Sequence, residues 1–188
     1  MSTDLDELQE SISQGQWGEA CRWAIEQQLQ VARYFGAKRF VPVDSAQVGA
    51  EVGTMGEAGI EWVEKLARAG GRFRIPALTA ACSVDFKRAT RYGVAQAQVD
   101  QETRLHQALQ QMGCIDTSTC INYQTVSPPR FRQHLAWGDT GAVAFANGVA
   151  GARSNYEAGP ASIAAALTGM VPAYGFHLEE NRLATRVF

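Results

Sequence analysis

The stretch that most constrains the fold runs from Trp137 to Gly169, WGDTGAVAFANGVAGARSNYEAGPASIAAALTG. An apolar run, Ala142 to Ala146, is followed by small residues. Then come a polar cluster, Arg153-Ser154-Asn155, a Gly159-Pro160 pair, and an alanine-rich run that stops at Gly169. Proline in a first helical turn and glycine just past a last one bracket a helix. The pattern predicts a buried strand at 142–146, a tight polar loop, and a helix from Pro160 to Gly169. Gly148, Gly151 and Gly159 let the backbone approach a ligand or a neighbouring chain closely. The helix start turns unpaired N–H groups and a positive dipole end toward the loop. Arg153 adds a forked cation suited to a carboxylate or phosphate, and Ser154 and Asn155 add neutral hydrogen-bonding groups. Two readings follow: an anion-binding loop, or a tight turn between packed elements with Arg153 in a structural ion pair.

The rest of the chain alternates. Leu5, Leu8 and Ile12 have helical spacing up to Gly15. Cys21, Ile25 and Leu29 mark a second helix from Gly18 to Phe35, with Gly36 as its stop. A short strand is predicted at Arg39 to Val43 and a polar loop at Asp44 to Gln47. Ile60, Val63, Leu66 and Ala67 predict a helix at 58–69, closed by Gly70-Gly71, and Arg72 to Ile75 reads as a strand. Val99, Leu105, Leu109 and Met112 give a helix at 95–112. This rhythm of helix and strand argues for α/β layers around a sheet. Ligands in such sheets gather at the carboxyl ends of strands. The loops that qualify are Asp44 to Gln47, Pro76 to Ser83 (with Thr79), and the one after Ala146. A further segment, Thr117 to Pro129 (TSTCINYQTVSPP), reads as a functional loop or a linker, with Cys120 and Tyr123 favouring function. Leu183 to Phe188 reads as a strand that a partner sheet could continue.

Charge and cysteine usage narrow the classes. A net charge of −2 and a pI near 5.9 give no electrostatic reason to expect nucleic acid or an acidic membrane as partner. No apolar run is long enough to span a bilayer, and the acidic start, MSTDLDELQE, does not read as a signal peptide. The expectation is a cytoplasmic protein with reduced thiols. The 4 cysteines (Cys21, Cys82, Cys114, Cys120) form no C-x-x-C pair, and with the 3 histidines they make no self-contained zinc pattern. Cys21, Cys82 and Cys114 are expected as buried structural thiols. His106 is expected in solvent on a polar helix face, and His134 and His177 as structural residues.

With these residues in view, the sequence resembles the amino-terminal half of the large subunit of the aconitase X family of dehydratases. The stretches that carry the resemblance are VPVDSAQV (41–48), GEAGIEWVEKLA (56–67), RFRIPALT (72–79), YGFHLEENR (174–182) and above all 118–169. Within the last, Trp137, Ala146-Asn147, Gly151-Ala152-Arg153 and Asn155 fall in the family's order and spacing. The resemblance implies aconitase-like α/β/α layers with a largely parallel sheet, incomplete without a partner. Residues 1–188 would be the first half of the catalytic domain, with 1–17 as a helical extension. It further implies removal of water from small hydroxylated acids, such as cis-3-hydroxyproline in bacteria or mevalonate 5-phosphate in archaea. An iron–sulfur cluster held by cysteines would assist. The second half of the large subunit and a small swivelling domain would come from partner chains.

By the same resemblance Cys120 is a cluster ligand, in the family's S/T-x-C-x-x-Y loop, and Ser45 is the catalytic residue, in its Ser-Ala-His loop. Gln47 stands where that loop has histidine. Gln47, Thr79, Tyr123, Arg153, Ser154 and Asn155 are candidate contacts for an anionic substrate. Loss of water beside a carboxylate needs a base and a Lewis acid for the departing hydroxide. A serine is a base only where its pKa is lowered. Gln47 can hydrogen-bond but cannot move protons. That replacement keeps two other readings open: a non-catalytic binding or scaffold subunit, and a cluster-free enzyme with changed chemistry.

Overall fold

A computed structural model describes residues 3–157 and 159–183. A two-residue strand β1 (Thr3–Asp4) leads into α1 (Leu5–Ser13), where the Asp4 carboxylate accepts from the Asp6 N–H at 2.9 Å and caps the helix. Helix α2 (Glu19–Tyr34) buries Ala20, Ala24, Ile25, Leu29 and Ala32, a stripe at helical spacing. Strands β2 (Arg39–Pro42) and β3 (Ala46–Val48) follow, then α3 (Val52–Arg68), β4 (Ala77–Thr79), α4 (Gln96–Gln111), α5 (Thr140–Gly148), α6 (Pro160–Thr168) and β5 (Met170–Pro172). Single 3-10 turns occupy Asn122–Gln124, Gly175–His177 and Glu179–Arg182.

Several sequence expectations need correction. Ala142 to Ala146 is helical, within α5, and not a strand. The Asp139 carboxylate accepts from the Ala142 N–H at 3.1 Å, and Ala142, Val143 and Ala146 form its buried face. The expected loop at Asp44 to Gln47 ends inside β3. Arg72 to Ile75 joins no sheet and bends at Arg74-Ile75: the Phe73 N–H donates to Met112 O and the Arg74 N–H to Ala166 O. The strand forms just beyond Pro76, as β4, so the loop expected from 76 starts with a strand. The helix read at 58–69 is the regular part of α3, which breaks at Gly56 (φ 59°, ψ −175°). Of the strand expected at 183–188, residues 184–188 lie outside the described residues.

The sheet that positions the site is parallel. β3 and β4 pair in register Ala46↔Ala77, Gln47↔Leu78, Val48↔Thr79. Parallel bridges extend the ladder on both sides, Ala46↔Ala136 and His134↔Arg153 on one and Leu78↔Ile115 on the other. The carboxyl ends of these segments therefore lie along one edge. A separate antiparallel sheet runs β1-β2-β5.

The main core gathers Val48, Ile60, Val63, Leu105, Leu109, Met112, Ile163 and Leu167 between α3, α4, α6 and the parallel strands. α3 packs on α4, α2 on α6, and α6 on β3. A second cluster forms around Trp137, with Tyr123, Leu135 and α5. Another joins Leu8 of α1 to Ile25, Leu29 and Phe40. Among the described residues no helix is long and apolar enough to cross a membrane.

Candidate functional site

A cavity of about 410 Å³ opens at the carboxyl edge of the parallel ladder. It is lined by Gly49 and Glu51 after β3, Ala80 and Ala81 after β4, Cys120, Gly138-Asp139, and Gly159-Pro160 at the start of α6. Three properties meet there. The half-buried Cys120 thiol is a soft donor atom in the lining. Its pKa is pushed up by burial, then by the neighbouring Asp139 and Glu51 carboxylates. Those two carboxylates are hard acceptors, and the first turn of α6 presents the positive end of a helix. This is the position in which a parallel α/β sheet binds ligands.

Beneath the cavity floor, Gln47 is fully buried and all its polar atoms have protein partners. Its Nε2 donates to Cys120 O at 3.0 Å and to Asn122 Oδ1 at 3.2 Å, and its Oε1 accepts from the Asp139 N–H at 3.1 Å. One amide thus ties the Cys120 loop to the start of α5. Thr79 is equally internal: its Oγ1 accepts from the Thr117 and Ser118 N–H groups and donates to Asp116 Oδ1 at 3.1 Å. It shapes the turn that leads to Cys120. Ser118 holds a left-handed φ of 43° in that turn.

The other candidate residues sit away from the lining. Ser45 is buried, and its Oγ accepts from Trp137 Nε1 at 3.1 Å. Tyr123 packs its ring against Trp137 and Phe145. Ser154 Oγ accepts from the Trp137 N–H and donates to Asn155 O. Asn155 grips the next turn, donating to Tyr174 O and accepting from the Phe176 N–H. Arg153 donates to His177 O and pairs with Glu179, while its Nε is buried without a hydrogen-bond partner. Arg153 thus makes an ion pair within the chain, and both readings of the loop stand. Arg153 also lines a second cavity, of about 550 Å³, together with Lys38, Arg39, Arg132, His177, Glu179 and Glu180. His134 and His177 stack there with Nδ1 atoms 2.9 Å apart. Burial depresses both, His177 to about 3, so the pair is neutral near pH 7.

His106 is not in solvent as its helix position implied. It is buried against Glu102 and Asp116, with Cys82 beside it. Cys114 is inert: its thiol faces Ala77 O and burial pushes it up to about 12. Cys82 and Cys114 do not line the first cavity, so Cys120 is the thiol found there among the described residues. A cluster needs three or four ligands, so these residues fit an iron–sulfur cluster as one corner of its cage.

Sequence reasoning missed Asp139 and Glu51, which share the cavity with Cys120. Asp139 carried a legible signal as a helix-capping acid ahead of an apolar run. It also missed Glu157, which is 5% exposed with an unpartnered Oε1 and is pushed by burial to about 7.

Known proteins match along nearly the whole chain. A family model described as the aconitase X first domain matches residues 2–180. The phosphomevalonate dehydratase large subunit of Methanothermobacter thermautotrophicus is 35% identical over 182 residues, covering 96% of this chain and 46% of that protein. The cis-3-hydroxy-L-proline dehydratase of Pseudomonas aeruginosa is 36% identical over 180 residues, covering 96% of this chain and 31% of that protein. The crystal structure of Thermococcus kodakaraensis aconitase X in its holo form aligns with a TM-score of 0.85 at 34% identity. It covers 94% of this chain and 44% of that one. The chain therefore spans less than half the length of these relatives.

Proposed function

The chain belongs to the aconitase X family, and on that premise we propose that it is one part of a split hydro-lyase that dehydrates a small hydroxylated carboxylic or amino acid. The observation that carries this reading is the cavity at the carboxyl edge of the parallel ladder, where Cys120 meets Asp139, Glu51 and the start of α6. In this reading Cys120 is one ligand of an iron–sulfur cluster whose remaining ligands come from the rest of the enzyme. Bound there, the cluster supplies a Lewis-acidic iron for the departing hydroxyl.

This chain's own residues do the rest of the work assigned to it. The Gln47 amide holds the Cys120 loop in place from below. The start of α6 offers N–H groups to an anionic substrate. Asp139 and Glu51 present acceptors across the cavity for a hydroxyl or ammonium group. Thr79 sets the turn that delivers Cys120, and Tyr123 and Ser154 support Trp137 and, through it, Ser45. Ser45, Arg153 and Asn155 would meet substrate only on a face completed by the second half of the large subunit and the swivelling domain. Arg153 there offers its guanidinium to a carboxylate or phosphate.

Anaerobic purification of the chain with its native partners tests this. Iron should co-purify with one or two further chains, and Cys120→Ser should lose the iron and its colour while keeping the fold. Unchanged iron content in that variant would sink the ligand assignment. A second reading, a non-catalytic binding subunit, is favoured by Gln47: it replaces a proton-carrying histidine and turns all its polar atoms inward. Isolation of a lone, iron-free chain that still binds a carboxylate would favour it.

A further inference from the structure

Behind the loop that follows β4, a second group of metal-ligating side chains lies outside the cavity of Cys120. Cys82, Glu102 and His106 place their ligand atoms within 4.8 Å of one another. We infer that these residues form a binding site for a single divalent cation of the zinc class, with Asp116 as the residue that orients the histidine. The fourth position would be taken by water.

The geometry supports the assignment at each ligand. Glu102 and His106 are four residues apart on α4 and share a face. His106 Nε2 lies 3.4 Å from Glu102 Oε1. A charge-assisted N–H···O bond would close to about 2.7–2.9 Å. By contrast, a tetrahedral zinc ion at its usual bond lengths holds a nitrogen and an oxygen ligand about 3.3 Å apart. The His106 side chain is 7% exposed, and its Nε2 has no hydrogen-bond partner among the described residues. Its Nδ1 faces Asp116 Oδ2 at 3.2 Å. A carboxylate on one ring nitrogen fixes the tautomer that presents a lone pair at the other, the usual support of a metal-bound imidazole. Asp116 is itself braced by Thr79 and Ser118.

Glu102 is fully buried, and its oxygens accept from the Ser83 N–H at 3.1 Å and the Val52 N–H at 3.2 Å. Those bonds aim the carboxylate and leave a lone pair on each oxygen. The Cys82 thiol now donates to Val84 O at 3.0 Å. On binding, the S–H bond breaks, the sulfur donates its pair to the cation, and the proton leaves to solvent, with any proton on Nε2. One thiolate, one imidazole and one carboxylate make a donor set that suits zinc better than calcium or magnesium. The rival account, an imidazolium clasped by two carboxylates, explains the histidine and leaves the thiol to its bond with Val84 O.

Occupancy would have a local consequence. The site ties the 81–84 loop to α4, and Ala81 lines the first cavity. Ser83 reaches Glu51, on that cavity's wall, at 3.5 Å. The cation would thus stiffen one side of the Cys120 pocket without touching it.

Cobalt(II) added to the chelator-treated, reduced full chain tests this. A sulfur-to-cobalt charge-transfer band should appear at one cobalt per chain and vanish when zinc is added. The band should persist in Cys120→Ser and be lost in Cys82→Ser. Zinc should raise the melting temperature of the wild type and of Cys120→Ser, and leave Cys82→Ser and Glu102→Gln unmoved. Cys82 is only half-buried, so its serine variant keeps the test valid if His106 variants fail to fold. A folded wild-type chain without the band, or a band that survives in Cys82→Ser, overturns the proposal. Because the readout follows Cys82 and not Cys120, its failure is separate from failure of the cluster reading.

Discussion

Gln47 and Glu157 show how differently one buried polar side chain can act from another. Gln47 satisfies three neighbours at once, so truncating it strands Cys120 O, Asn122 Oδ1 and the Asp139 N–H. Gln47→Ala should cost about 2–4 kcal/mol in denaturant unfolding, from the cavity and the orphaned groups together. Glu157 has an oxygen that nothing satisfies, and burial raises its pKa from 4.5 to about 7. The native state then holds a proton that the unfolded chain releases between those values, so this group's contribution is full below pH 4.5 and is lost as pH rises to 7. Glu157→Gln removes that loss. Its stability relative to wild type should climb from pH 4.5 and level off above 7, gaining about 3 kcal/mol over the window. Paired thermal melts across pH measure it, and a flat difference would place the carboxyl in water. His177 works in the other direction: its depressed pKa means that stability is lost as pH falls below 6.5 toward 3.

At the level of elements, α3 has its clearest weak point at Gly56, where φ 59° and ψ −175° lie in a region open to glycine alone. An added Cβ there meets nothing within 4 Å, so Gly56→Ala isolates the backbone term. A loss of about 1–3 kcal/mol in unfolding free energy, read as a lower urea midpoint, is expected. A neutral result would mean that the kink relaxes into continuous helix. The long amphipathic helices were legible because their buried residues recur at helical spacing, as Ile60, Val63, Leu66 and Ala67 do. Pro160 and Gly169 framed α6 by their backbone preferences alone. What escaped was short or apolar all round. Ala142 to Ala146 has no polar face to betray its period, so only the Asp139 cap distinguished helix from strand. Strands β3 and β4 are three residues each and wholly buried, which leaves no alternation to read. Cys120 was legible through its loop. The Asp139 and Glu51 carboxylates beside it come from separate segments, and only the ladder brings them together. His106 faced the same obstacle: its partners are a turn ahead on α4 and ten positions beyond.

The whole molecule is held by bonds between distant parts of the chain. The Gln28 amide donates to Met170 O across 142 positions, and the Cys21 thiol meets Leu167 O across 146. β2 pairs with β1 on one edge and with β5 on the other. The site shares this dependence, since its wall includes both Gly49 and Gly159. This sets a timetable during synthesis. At ribosomal speeds of about 5–20 residues per second, one edge of β2 waits on the order of ten seconds before β5 leaves the tunnel. Until then α2 has no α6 to cover, and its apolar stripe is open to other nascent chains. The gap between β2 and its last partner is a window in which a chaperone, or a misfold, can act first.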